Sequence, residues 1–263
     1  SPKGPEVEVI SRQIANAHTT FNIVMTLIWT PLLFVMVKLV IRLIPDKKEG
    51  EGDPAEPVYL DDRLMAQPAA ALQLAAKEIL HLAFLVREQL HLTTGMVRRK
   101  EEGQPAAGIE QREKLKGLGN KITEYLSGLF SAGVLTEGQA AQTAGVMYLL
   151  GDVERMGELC ADVTLAIEDR DRRKTKYSKE AMKDLEKSLK VIEDMYGAAL
   201  QVLTTGDEES ARKIRKKKEK VLDLDIEMRK GHMDRVSKGK CATEMTGPLN
   251  DILHAVDRMG NCC

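Results

Sequence analysis

Two short runs of this 263-residue chain have one form. They are Glu154-Arg155-Met156-Gly157-Glu158 and Asp257-Arg258-Met259-Gly260-Asn261, an acidic residue followed by Arg-Met-Gly and, in the first run, a second acid. Residues four apart on a helix share a face, and hard cations are held by several oxygens, so the spacing suits cation chemistry. It equally suits a solvated face: with Val153 and Met156 turned inward, Glu154 and Glu158 turn outward. Glu154 beside Arg155 also fits ordinary surface ion pairs, which contribute little stability. Other chemistry is missing from the sequence. His18, His81, His91, His232 and His254 are scattered, with no HExxH and no nearby Cys partner. There is no Gly-rich phosphate loop, nucleophile elbow or paired catalytic carboxylate motif, so no enzyme is read here. Cys160, Cys241, Cys262 and Cys263 form no CxxC pair, which favours free thiols in a reducing compartment over a zinc knuckle or disulfide framework.

Helices must position these residues. Ala, Leu, Met, Glu and Lys are plentiful and aromatics are only 4%, the composition of a helix bundle and not of a β-sandwich. With 43% hydrophobic residues, the chain can bury a core sufficient for two small domains. Leu72, Ala75, Ile79, Leu82 and Val86 alternate steps of three and four, which predicts one buried helical stripe. Further stripes run through Leu115, Leu118, Ile122, Tyr125 and Leu129, and through Val146, Leu149, Val153, Met156, Cys160, Val163 and Ile167. A fourth comprises Met182, Leu185, Leu189, Ile192, Tyr196, Ala199 and Leu203; Gly206 is expected to stop it and Asp207 to cap the next helix. The fifth carries Ile214, Val221, Leu224 and Met228, and the sixth Met245, Leu249, Ile252, Val256 and Met259. The basic run Lys213–Lys220 reads as a solvated face, or as one lying against anionic lipid headgroups. It has no stacking aromatics or reading motif, and net charge is −1, so no nucleic-acid partner is expected.

Ahead of these helices, residues 21–37 (FNIVMTLIWTPLLFVMV) carry no charge. Extended through Lys38 and Arg42 to Ile44, the segment reaches the roughly 20 residues needed to span a bilayer, with its cations snorkelling to the interface. Pro31 predicts a kink. Arg12 precedes the run, whereas Lys38, Arg42, Lys47 and Lys48 follow it, opposite to a signal peptide. The positive-inside rule then places the C-terminal side in the cytoplasm. Residues 46–61 (DKKEGEGDPAEPVYLD) read as a linker. A chain that begins at Ser1 and ends at Cys263 within a helical stripe is expected to be part of a longer protein. One span forms no transport pathway, so any pathway lies outside these residues.

The six later stripes fall into two sets of three. Leu92-Thr93-Thr94-Gly95 matches Leu203-Thr204-Thr205-Gly206, Glu113-Lys114 matches Glu219-Lys220, and the two acidic motifs match each other, all at offsets between 103 and 111 residues. Repetition at one spacing predicts two copies of a three-helix unit, and short connections make each an antiparallel bundle.

The duplicated acidic-Arg-Met-Gly motif near the start of a third helix resembles the signature of PhoU-like proteins, which are two tandem three-helix bundles. The resemblance runs from about residue 60 to 263 and includes the turn Thr205-Gly206-Asp207-Glu208. The upstream stretch ISRQIANAHTTFNIVMTLIWTPLL, especially His18-Thr19-Thr20-Phe21-Asn22, resembles the end of the membrane domain in the sodium/phosphate cotransporter family. Many bacterial members carry a PhoU-like domain after it, in this order. The resemblance implies an all-α chain: a terminal transmembrane segment at 1–45, a linker at 46–61, a first PhoU-like repeat at 62–172 and a second, truncated repeat at 178–263. It implies Na+/phosphate symport at the bacterial inner membrane, with the C-terminal domain cytoplasmic and regulatory. The expected partners are the lipid bilayer, and inorganic phosphate and Na+ through a membrane domain outside this chain; a homo-oligomer is compatible. No phosphate- or sodium-binding residue carries over.

In PhoU-like proteins, carboxylates four apart on the second and third helices hold metal clusters. Carried over, this implies Glu154 and Glu158 in the first repeat and Glu219 and Asp223 in the second as ligands for divalent or iron ions, with Glu113 and Asp257 as their counterparts. Glu158 stands where an Asp is usual, Asn261 replaces one carboxylate, and Gly117 stands opposite Asp223. Each repeat therefore lacks one ligand of four, and two weakened sites or none both fit. Alternatives to transport are a membrane-tethered PhoU-like adaptor of phosphate signalling that moves nothing, and metal storage or sensing.

Overall fold

The structure, a computed structural model, describes residues 5–43, 55–98, 105–133, 135–172 and 177–263. Every long element among them is a helix: α1 (Pro5–Leu43), α2 (Pro68–Arg98), α3 (Pro105–Ser131), α4 (Glu137–Arg172), α5 (Lys179–Thr205), α6 (Glu208–Ser237) and α7 (Thr246–Cys262). Short 3-10 turns occupy Asp62–Leu64 and Thr243–Met245. The chain divides into two units, Ser1–Glu51 and Gly52–Cys263.

In the first unit, α1 continues as helix through Pro31. Its stretch Arg12–Met36 has a mean hydropathy of 1.6 and is long and apolar enough to cross a membrane. Phe21, Leu27, Trp29 and Phe34 are exposed, so this unit gives the helix no apolar partner. A helix that is apolar on all sides is the pattern of a lipid-facing or fully buried segment. Ile44 and most of the 46–61 linker lie outside the described residues. α2 is also long and apolar enough to cross a membrane over Pro68–Val97, but its Ala71, Ala75, Ile79, Leu82, Val86 and Leu90 are buried in the second unit. It is a core helix.

In the second unit, α2, α3 and α4 each pack on the other two, as do α5, α6 and α7, while α2 meets α5 and α4 meets α7. The predicted stripes supply the core, each fully buried large side chain contributing roughly 1.5–3 kcal/mol. Leu203 departs from its stripe and is exposed, lying beyond Leu200, the last buried side chain of α5. The repeated Met-Gly pair has a packing role in both halves. Met156 and Met259 are fully buried. A Cβ on Gly157 would lie 3.4 Å from Val86 and 3.7 Å from Leu115; one on Gly260 would lie 3.7 Å from Ile192 and 3.8 Å from Val221. Ile192 follows Val86, and Val221 follows Leu115, by the same interval of 106 residues.

The Thr-Thr-Gly runs differ. Gly206 ends α5 with φ +70°, where a side chain would be strained, and Asp207 caps α6 by accepting from the Glu209 N–H. Gly95 instead lies inside α2, which runs on to bury Val97. All four cysteines are free thiols; burial pushes Cys160 up strongly and Cys263 up to about 12.

Before α2 the chain lies as a strap along one face of α3. Lys121 bonds Glu56 at 3.0 Å, and the Tyr125 hydroxyl donates to the Asp61 carbonyl at 3.1 Å. A Cβ at Gly117 would stand 3.7 Å from Ala55, and one at Gly128 3.0 Å from the Met65 methyl. Glu78 of α2, fully buried, accepts the backbone N–H groups of Tyr59 and Leu60. A glycine at each end of this face and a buried carboxylate beneath it hold the segment down.

Candidate functional site

Arg112, Lys116 and Asn120 follow one another at four-residue intervals down one face of α3. Across the seam, Glu154 and Glu158 do the same on α4. Together with Leu82 and Val86 of α2, and Leu115 and Gly157, they line a cavity of about 220 Å³. One wall carries cations and an amide, the other carboxylates, and the floor is apolar.

The two carboxylates are not equivalent. Glu158 accepts from Arg155 at 2.8 Å, a half-exposed ion pair one turn along α4. Glu154 has no hydrogen-bond or ion-pair partner among the described residues. It is half-buried against α3, where the absence of a side chain at Gly119 admits it: a Cβ there would overlap the Glu154 carboxylate. Burial, and secondarily the charge of Glu158, hold the Glu154 carboxyl above its ordinary value. Arg112 and Lys116 also lack a carboxylate partner among the described residues, so the charges facing the cavity are not cancelled pairwise.

Of the residues the sequence singled out, the structure brings Glu154 and Glu158 to this cavity. Glu113, one residue from Arg112, is exposed and does not line it. Glu219 and Asp223 are exposed on α6, and Asp257 is half-buried on α7. Among the described residues, no three His, Cys, Asp or Glu side chains converge to hold a metal ion. The basic run on α6 is largely solvated, with Lys213 on Glu209 at 3.0 Å and Lys217 on Asp194 at 3.4 Å. Sequence reasoning missed Arg112, Lys116 and Asn120, whose four-residue spacing was the available signal. It also missed Glu78, an acid set between Ala75 and Ile79 of the α2 stripe.

The chain is similar to proteins named "Putative inorganic phosphate export protein YjbB". The one from Salmonella typhimurium (strain LT2) is 25% identical over 240 residues, which is 89% of this chain and 42% of the relative. Those from Escherichia coli (strain K12) and Shigella flexneri are 24% identical over 243 residues, with the same shares covered. The chain thus spans about two fifths of the length of the relatives it matches. No protein-family model matches it, and no solved structure matches it. The helical unit Gly52–Cys263 is about four fifths of the chain, so a likeness covering 89% necessarily reaches into the unit that holds α1. The relatives carry a transport name, and the likeness to them extends beyond the helical unit into the one that holds α1.

Proposed function

We propose that this chain is the C-terminal part of a sodium-dependent inorganic phosphate transporter. In this reading α1 is the last membrane helix of a transport domain, and α2–α7 form a cytoplasmic, PhoU-like regulatory domain of two repeats at the inner membrane. The likeness to proteins named for phosphate export, running across both units, carries the proposal. The exposed apolar α1 supports membrane insertion. Coupling to Na+ and the PhoU-like assignment rest on the resemblances in residues 10–33 and 60–263. The test is flux of radiolabelled phosphate through the full-length protein in proteoliposomes, with sodium gradients of either sign. The expected result is phosphate movement that follows the sodium gradient and, when residues 62–263 are deleted, loses its dependence on phosphate at the cytoplasmic face. Flux indifferent to sodium would remove the coupling. No flux under any gradient would leave the tethered adaptor as the reading.

A further inference from the structure

We propose that the α3–α4 cavity binds inorganic phosphate in its protonated forms, with Arg112, Lys116 and Asn120 donating to the oxyanion and Glu154 accepting from its P–OH group. This rests on the phosphate-transport reading and names the ligand of its regulatory unit. The charge pattern comes first. Arg112 and Lys116 line the cavity without a carboxylate partner among the described residues, and the negative charge of Glu158 is already met by Arg155. Arg155, which does not itself line the cavity, is paired with Glu158, so Arg112 and Lys116 face Glu154 alone and the balance of the lining favours an anion. Arg112, Lys116 and Asn120 are all hydrogen-bond donors and all line this cavity, a donor set suited to the oxygens of a tetrahedral ion. A cavity of about 220 Å³ leaves room for such an ion and a few waters.

An anion site that also holds a carboxylate needs a reason for the carboxylate, and protonation supplies one. Inorganic phosphate keeps at least one proton at neutral pH, whereas sulfate keeps none. A half-buried carboxylate can accept the phosphate hydroxyl but meets sulfate only with repulsion, so Glu154 separates the two ions by a penalty on the wrong one. Its position fits that role: it has no partner among the described residues, sits against Gly119 of the helix that carries the donors, and has its proton affinity raised by burial. The cations opposite disfavour a bare metal ion at the same carboxylates. The second half of the molecule is an internal contrast. At the interval of 106 residues, Arg112, Lys116 and Asn120 correspond to Lys218, Leu222 and Ile226, and at the interval of 103 that relates the two acidic motifs Asn261 stands in place of Glu158. Leu222 and Ile226 are exposed apolar residues, so the donor column exists only in the first half.

The test is isothermal titration of the 263-residue chain in detergent micelles, stripped of metal by chelation, with inorganic phosphate and separately with sulfate. Phosphate is expected to bind at one saturable site and sulfate at least about tenfold more weakly, the scale set by one unpaired polar group. Arg112→Gln combined with Lys116→Gln is expected to weaken phosphate by about tenfold or more. Glu154→Gln, whose amide can donate, is expected to bring sulfate within about threefold of phosphate. Unchanged circular-dichroism melting in each variant excludes misfolding as the cause. No phosphate binding to the unsubstituted chain, equal affinity for sulfate, binding that requires added Mn2+, or binding indifferent to both substitutions would each overturn the proposal. Flux through the full-length protein is a separate measurement, so loss of this site leaves the transport reading standing and the reverse also holds.

Discussion

Removing the Glu78 carboxylate is expected to release the strap of residues 55–65 before it unfolds the helices. Glu78 is fully buried, and one of its oxygens accepts the N–H groups of both Tyr59 and Leu60. In Glu78→Ala both donors lose that acceptor, at roughly 1–3 kcal/mol each. The other carboxylate oxygen, Oε1, has no partner among the described residues, so part of the loss is offset by relief of a desolvated charge. The balance is about 2–4 kcal/mol against the docked strap. Water can satisfy the freed N–H groups if the strap lifts, and then the remaining helices need not unfold. The assay is amide hydrogen exchange beside urea unfolding. Protection at Tyr59 and Leu60 should fall about thirtyfold or more, the equivalent of 2 kcal/mol. Amides of the buried core, such as Leu126 and Met156, should change less. Glu78→Gln, which keeps one acceptor oxygen, should fall between. If Tyr59 and Leu60 exchange as slowly in Glu78→Ala as before, the carboxylate is not what holds the strap, and the reasoning fails.

The two matched glycines should respond oppositely to alanine. Gly95→Ala, in a helix interior with nothing within 4 Å of the new Cβ, is expected to raise stability by about 0.5–1 kcal/mol. Gly206→Ala, at φ +70°, is expected to lower it by about 1 kcal/mol or more, and urea midpoints of both variants decide the matter. His232 is buried between α6 and the start of α7, bonded to Thr246 at 2.9 Å, with Cys241 3.8 Å from its other nitrogen. Burial first, and Arg235 second, hold its pKa below the ordinary 6.5. The unfolded chain therefore takes up the proton first, and stability present above 6.5 is lost as pH falls through that value toward the lower folded one. Urea midpoints measured from about pH 7.5 down to about 5 should show this fall, and His232→Gln should flatten it.

What was legible in the sequence was what local periodicity dictates. Stripes such as Leu115, Leu118, Ile122, Tyr125 and Leu129 are buried because a spacing of three and four puts them on one face whatever the helix meets. Gly206 was legible for the same reason: an acid able to cap follows it, and a left-handed stop needs a glycine. Gly95 ends the same Leu-Thr-Thr-Gly run, but Met96 and Val97 follow it where Asp207 and Glu208 follow Gly206, and α2 runs on to bury Val97. The cavity lay further from view. The period places Glu154 and Glu158 on the side away from Met156, which reads as solvent. Whether that side meets water or a neighbouring helix depends on how α3 and α4 cross. Gly119 lets them approach closely enough to half-bury Glu154. Arg112, Lys116 and Asn120 were visible as a spacing, but nothing local shows that this column, exposed at Lys116 and Asn120, also lines a seam between helices.

The strap also accounts for a residue that the resemblance left as a gap. Gly117 lies 106 residues before Asp223, the interval that relates Val86 to Ile192 and Leu115 to Val221. Asp223 is exposed on α6, with room for a carboxylate. At residue 117 a Cβ would meet Ala55 at 3.7 Å, an ordinary contact, so the glycine leaves the strap room beside α3. In the first half α3 thus carries glycine where the entering chain lies, with the tighter approach at Gly128, where a Cβ would stand 3.0 Å from the Met65 methyl. On a neighbouring face of the same helix, Arg112, Lys116 and Asn120 form the donor column, and their counterparts in the second half include two exposed apolar residues. The features that distinguish the first half from the second thus converge on α3: one face holds the entering chain, and another lines the charged cavity.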